Sequence, residues 1–175
     1  MHKAIKIKTG DITKEKVCAI VNAANSSLMG GGGVDGAIHR AGGHAILDAC
    51  REIRNSRYPD GLPTGQAVAT TAGAMDASYV IHTVGPVFGS CGSACETLLA
   101  SCYTTSLNVA LALGCRDIAF PAISTGIYGY PKEEAARIAY QSVKEFLEEG
   151  QKITVYFVFH NESDKTVFEK SIQGV

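Results

Sequence analysis

The sequence predicts an α/β fold, with a sheet covered by helices on both faces. Three observations carry this. Strand-like and helix-length segments alternate along nearly the whole chain. The strand-like segments are short, continuous apolar runs, as strands buried on both faces require. The helix-length segments show helical periodicity and end on stop signals. With 175 residues, 46% of them hydrophobic, the chain suits one domain over residues 1–175 with a sizeable core.

The elements follow in order. Ala4–Lys8 and Cys18–Asn22 read as strands, the second apolar on both faces. Val34–Ala41 and Gly43–Arg54 read as helices, followed by strands over Ala67–Thr71 and Tyr79–Val84. Ala94–Leu113 is a helix with Leu98, Leu99, Cys102, Leu107 and Leu111 in register, and Gly114 stops it. Asp117–Ala122 is a strand with Pro121 near its end, where a missing amide matters least. Lys132–Glu148 is a helix opened by Pro131 and closed by Gly150. Ile153–Phe159 is a strand, and Ser163–Ser171 a last helix with Ser163 as its cap. Asn55–Gly65, rich in turn residues, reads as a surface excursion.

Composition excludes several classes of function. The net charge is −1, so the basic excess of a general nucleic-acid binder is missing. No apolar run reaches the length of a membrane span, and the first residues lack the apolar core of a signal peptide. The expectation is a cytoplasmic protein and a monomer. The six cysteines contain no C-x-x-C pair and no zinc-finger spacing, so no metal is expected and the thiols read as reduced and mostly buried. Cys91 and Cys95 can share a helix face but have no matching second pair.

In sheets of this class, ligands bind beyond the carboxyl ends of strands, where loops lead into helices. Two loops fit. One, with Gly30–Gly33 ahead of the Val34 helix, follows the strand Cys18–Asn22, and Ser124–Pro131 follows the strand ending at Ala122. Both carry glycines and both run into a helix, whose unpaired amides and partial positive charge suit an anion. The two could grip a diphosphate from opposite sides. Asn22 and Asn25 precede the glycines, and an amide side chain offers both donor and acceptor to sugar hydroxyls or to nearby backbone. Asp35 stands at the start of the next helix, where it complements the dipole or takes a proton from a water. His39 is four residues on, on the same face, and either pairs with Asp35 or reaches the ligand. Gly31, Gly33 and Gly36 spell G-x-G-x-x-G, but no acidic residue closes a following strand, so a nicotinamide cofactor fits poorly. No G-K-[ST] follows the glycines, which removes a Walker loop.

These segments resemble a known family. GDI (Gly10–Ile12), VNAANSSLMGGGGVDGAIHRAGG (Val21–Gly43), HTVGP (His82–Pro86) and AFPAISTGIYGYP (Ala119–Pro131) resemble, in this order, the macro domain, and within it the MacroD-type ADP-ribosyl hydrolases. The resemblance covers nearly the whole chain. It implies a three-layer α/β/α sandwich with a mixed, mostly parallel sheet of about six or seven strands. It implies ADP-ribose as ligand, with O-acetyl-ADP-ribose and mono-ADP-ribosylated proteins as substrates and no cofactor. Asp11 and Ile12 would meet the adenine, and Gly30, Gly31, Gly32, Gly33 and Val34 would wrap the diphosphate and distal ribose. Ser124, Thr125, Gly126, Ile127 and Tyr128 would hold the diphosphate from the other side, with Tyr128 covering the ribose. Asn25 would orient the ribose hydroxyls and Asp35 would position or activate a water, while Asn22 and His39 would serve substrate binding. His160 departs from the family, standing where many relatives carry an aromatic ring near the adenine. Ala74–Met75–Asp76 replaces a more usual Leu-Pro turn. The implied activity is hydrolysis of the ester on the distal ribose; the alternative is a module that reads ADP-ribose without turnover.

Overall fold

The computed structural model describes residues 1–175. Six strands form one sheet: β1 (Ile5–Thr9), β2 (Ala19–Ala24), β3 (Ala67–Thr71), β4 (Tyr79–Val84), β5 (Asp117–Phe120) and β6 (Thr154–Phe159). Five helices flank it: α1 (Gly33–Gly42), α2 (His44–Ser56), α3 (Cys95–Ala112), α4 (Lys132–Glu148) and α5 (Glu162–Ser171). The strand order is β1-β6-β5-β2-β4-β3. All neighbours are parallel except β3 and β4. The exception has a simple cause. Only Ala72–Ser78 connects β3 to β4, and a parallel crossover needs a dozen or more residues.

The sheet has a core on each face, as alternation along the strands dictates. Ala19, Val21, Ile118, Phe120, Val155 and Phe157 point to the larger core, against α3, α4 and α5. Ile20, Ala24, Val80, Val84, Ala119 and Val158 point to the smaller one, against α1 and α2. Asn22 and His82 fall on this second face by the same alternation, fully buried and directly opposite each other in the β2–β4 register. No helix is long and apolar enough to cross a membrane.

Element boundaries move where local chemistry overrides the pattern. β2 runs to Ala24, because β4 continues its ladder with β2 to Ala24 opposite Val84. β5 stops at Phe120, before Pro121, which has no amide to donate. Asn161, not Ser163, caps α5: its side chain accepts the Asp164 amide at 2.8 Å. The expectation of reduced thiols is also corrected. Cys18 is bonded to Cys115 and Cys91 to Cys95, leaving Cys50 and Cys102 as buried thiols. Parallel pairing of β2 with β5 brings the residues before each strand side by side, and sequence spacing carries no trace of that.

The larger core is ordered around an aromatic cluster. Phe157 is 2% exposed, with ring centroids 4.8 Å from Phe168, 6.0 Å from Phe120 and 6.3 Å from Tyr103. Phe157→Ala leaves a cavity between β6, α3 and α5. It is expected to cost about 3–5 kcal/mol and to lower Tm by roughly 10 °C or more, read by thermal and denaturant unfolding.

Candidate functional site

The carboxyl ends of the five parallel strands open on one edge of the sheet. A cleft of about 880 Å³ lies there, within the range of ligand-binding cavities. The loop before α1, the loop before α4 and the residues after β1 and β6 form its walls. A second, apolar pocket of about 40 Å³ lies between β5, β6, α4 and α5. It is the smaller of the two, and few polar groups converge on it.

Both flanking loops store backbone strain. Leu28 (φ 61°) and Ser124 (φ 67°) are the two non-glycine residues with positive φ, one in each loop. Such conformations cost of order 1–3 kcal/mol each and persist where the surroundings enforce them. Leu28 is held because its side chain is buried in the α1–α2 core. Arg54 reinforces that loop by donating to the Ser27 carbonyl at 2.8 Å and to the Tyr58 and Pro59 carbonyls. Ser124 is held by the Tyr130 amide, which donates to its carbonyl at 2.9 Å. Its hydroxyl is buried on the cleft wall with no partner. An unsatisfied buried hydroxyl at such a place marks where a ligand's acceptor or donor fits. Gly85 makes room for it, since a Cβ there would stand 2.2 Å from Ser124 Oγ.

Asp35 sits in the first turn of α1 and is buried. Its Oδ1 accepts from Asn22 Nδ2 at 2.8 Å, and His39 Nε2 lies 3.4 Å from the same oxygen without hydrogen-bond alignment. Its Oδ2 faces Gly31. A methyl added at Gly31 would stand 3.2 Å from Asp35 Oδ2 and 3.4 Å from Asn25 Nδ2. The missing side chain therefore leaves a gap between a carboxylate oxygen and an amide. Asn25 is itself fixed, donating to the Gly30 carbonyl at 3.0 Å and accepting from Ser27 Oγ. Burial raises the Asp35 pKa above its ordinary value, opposed by the Asn22 hydrogen bond and by His39. At the far end, Asp11 Oδ1 accepts from the Thr13 hydroxyl at 2.7 Å and the Thr13 amide at 3.0 Å. The hydroxyl bond is the main cause that holds the Asp11 carboxyl below its ordinary value. His160 is exposed on the same wall as Asp11 and Asp164, and the Lys132 hydrogen bond is the main cause that holds the Asp164 carboxyl below its ordinary value.

The structure brings Asp11, Ile12, Asn25, Gly31, Gly32, Gly33, Val34, Asp35, Ser124–Tyr128 and His160 to the cleft wall. It does not bring Asn22, Gly30 or His39 there. Asn22 is wholly buried beneath Asp35, because its strand position faces α1, so it is no direct ligand contact. His39 lies under Gly30, against its ring-facing side, and beside Asp35. Sequence reasoning missed Arg40, the one lysine or arginine on the wall. Its signal was helical spacing, since Gly33, Ala37 and Arg40 lie three to four residues apart on one stripe of α1. It also missed Asp164, which arrives from α5 and carries no local motif.

His39, Cys50 and His82 hold their ligand atoms within 4.8 Å of one another. Both nitrogens of His82 already have partners, Asn22 and Thr70, and burial pushes the Cys50 thiol up to about 11. The set reads as a buried polar network rather than a metal centre.

A family model described as "Macro domain" matches residues 21–139. A Macro domain-containing protein of Streptomyces griseus is 64% identical over 139 residues, covering 79% of this chain and 78% of that one. The O-acetyl-ADP-ribose deacetylase of Citrobacter rodentium is 48% identical over 171 residues, covering 97% and 96%. A mutant of the Oceanobacillus iheyensis macrodomain, solved with ADPR, superposes with a TM-score of 0.92. It is 44% identical, over 95% of this chain and 90% of that one.

The raised pKa of Asp35 has a consequence for stability. The folded protein holds this proton more tightly than the unfolded chain, whose value is near 3.8. The buried charge therefore opposes folding above both values; the penalty fades as pH falls through the raised folded value and is gone below the unfolded one. Asp35→Asn is expected to raise Tm at neutral pH, with the gain shrinking as pH falls toward the unfolded value and gone below about pH 4. Thermal unfolding of both proteins across pH checks this. A Tm lowered at neutral pH would show the carboxylate to be net stabilising.

Proposed function

The chain belongs to the Macro domain family, and from that membership we propose that it binds ADP-ribose in this cleft and hydrolyses esters of its distal ribose. The substrates are O-acetyl-ADP-ribose and proteins carrying mono-ADP-ribose on acidic side chains. One observation carries the reading: the gap at Gly31 with Asp35 Oδ2 on one side and Asn25 Nδ2 on the other. A water and a ribose hydroxyl fit that pair.

The adenine lies toward Asp11 and Ile12, where an ionised carboxylate accepts from its amino group. The diphosphate lies between the Gly31–Val34 and Ser124–Tyr128 walls. With only Arg40 cationic there, backbone amides and the α1 N-terminus supply most of its stabilisation. The water, held by Asp35, attacks the ester carbonyl carbon. The new C–O bond forms, the proton passes to Asp35 or to a substrate phosphate, and the ribose oxygen leaves with a proton. Amides near Gly32 and Gly33 stabilise the negative charge that develops. His160 offers imidazole where a larger ring would stack on the adenine.

The raised pKa supports the base role, because it brings Asp35 nearer to neutral pH while Asn22 keeps it ionised. The named activity of the Citrobacter relative and the ADPR-bound Oceanobacillus structure point the same way.

The test is release of ADP-ribose from mono-ADP-ribosylated protein and of acetate from the acetyl ester. Asp35→Ala is expected to lower kcat by about 10²–10⁴-fold while calorimetry still detects ADP-ribose binding. If wild type binds ADP-ribose but releases nothing from either substrate, the chain is a reader. Gly31→Ala needs no unusual backbone angle, so it is expected to fold normally. Its methyl fills the gap, and both turnover and ADP-ribose affinity are expected to fall by at least roughly ten-fold.

A further inference from the structure

Behind Asp35 lies a buried chain of polar side chains that does not touch the cleft. Asn22 Nδ2 is 2.8 Å from Asp35 Oδ1 and 3.0 Å from His82 Nδ1. His82 Nε2 is 2.9 Å from Thr70 Oγ1, and Thr70 Oγ1 donates to the Thr71 carbonyl at 2.9 Å. His82 is fully buried, and Thr70 lies beside it on β3.

Counting hydrogens fixes the direction of every bond. The single Thr70 hydroxyl hydrogen goes to the Thr71 carbonyl, so Thr70 accepts from His82. His82 Nε2 then carries the proton, and Nδ1 is bare. A bare Nδ1 needs a donor, and Asn22 Nδ2 supplies one hydrogen to it and the other to Asp35. Turning the Asn22 amide over would place its oxygen against a carboxylate oxygen and against the bare nitrogen. With His82 protonated on Nδ1 the amide would turn, and its oxygen would face Asp35, which then needs a proton of its own. The tautomer of His82 and the ionisation of Asp35 are thus linked through one amide.

We infer that His82, fixed as its Nε2-protonated tautomer by Thr70, is a positioning residue that sets the Asn22 amide and so keeps Asp35 ionised and aimed at the cleft. This rests on the hydrolase reading of Asp35. Neither His82 nor Thr70 lines the cleft, so both act through Asn22. The titratable groups around Asp35 are His39 from α1 and Cys50 from α2, with His82 from β4 behind Asn22. Burial holds His82 neutral, with its pKa lowered to about 3, so it acts by tautomer and not by charge.

Thr70→Val removes the acceptor at nearly constant volume, and Thr70→Ser keeps it. In the valine variant His82 Nε2–H has no acceptor. The ring should move its proton to Nδ1, and Cys50 Sγ, 3.9 Å from Nε2, can donate instead. ¹⁵N shifts of His82 should report protonated Nε2 in wild type and Thr70→Ser, and protonated Nδ1 in Thr70→Val. The ¹³C titration midpoint of the Asp35 carboxyl and the acidic limb of the pH–kcat profile should both move to higher pH in Thr70→Val alone. Its kcat should fall roughly ten-fold, part of what a positioned base supplies, with KM unchanged within about two-fold. A loss of packing alone would lower the folded fraction and leave the midpoint in place. An unchanged His82 tautomer and Asp35 midpoint in Thr70→Val overturn the inference. The NMR measurements need no turnover. A wild type that hydrolyses nothing therefore defeats the hydrolase reading while these arms still decide the positioning role.

Discussion

β2 is hydrogen-bonded in parallel to β5 on one side and to β4 on the other, and the site depends on those two ladders. Parallel pairing puts the carboxyl ends of all three strands on one edge. The loops that leave them are then forced into a common space, although they are far apart along the chain. The same ladders set which side chains lie beneath that space. In the β2–β4 register Asn22 stands opposite His82, and both face α1 and α2. A one-residue slip of β2 would turn Asn22 into the other core and expose Asp35 to an apolar face.

The site is built at a cost in stability, and the rest of the fold offsets it. A desolvated carboxylate and two non-glycine residues with positive φ gather around one cleft. Each is unfavourable alone. Leu28 is tolerated because its side chain fills the smaller core, and Ser124 because the Tyr130 amide closes its loop. The larger core is ordered around the aromatic cluster at Phe157. The two faces of the sheet divide the work, one carrying packing and the other carrying the polar support of the site.

Under the proposed function, anion recognition would use little formal charge. Asp11, Asp35 and Asp164 stand on the wall against one arginine. An overall charge of −1 is therefore no obstacle to binding a diphosphate, because the favourable field comes from amides and a helix terminus. Such groups are fixed by the backbone, so their arrangement is decided by loop geometry and by which glycines permit close approach.

Much of this was legible in the chain itself. The alternation of apolar runs and periodic helices determined the α/β class, because burial on both sheet faces leaves that signature. The glycine loops, each between a strand and a helix, pointed to the sheet edge where the cleft lies, and the order of the segments around Asn25, Asp35 and Ser124 pointed to the family. Three-dimensional pairing decided the rest. Asn22 looked like a ligand contact in the sequence and is a buried strut, since only the sheet register shows what its side chain faces. Thr70 and Asp164 carry no motif, and their roles arise from partners brought in by other elements. Cys18 and Cys115 are neighbours only because β2 and β5 run side by side. Local sequence encodes period, turn and cap, whereas direction and partner of a buried polar group are properties of the packed sheet.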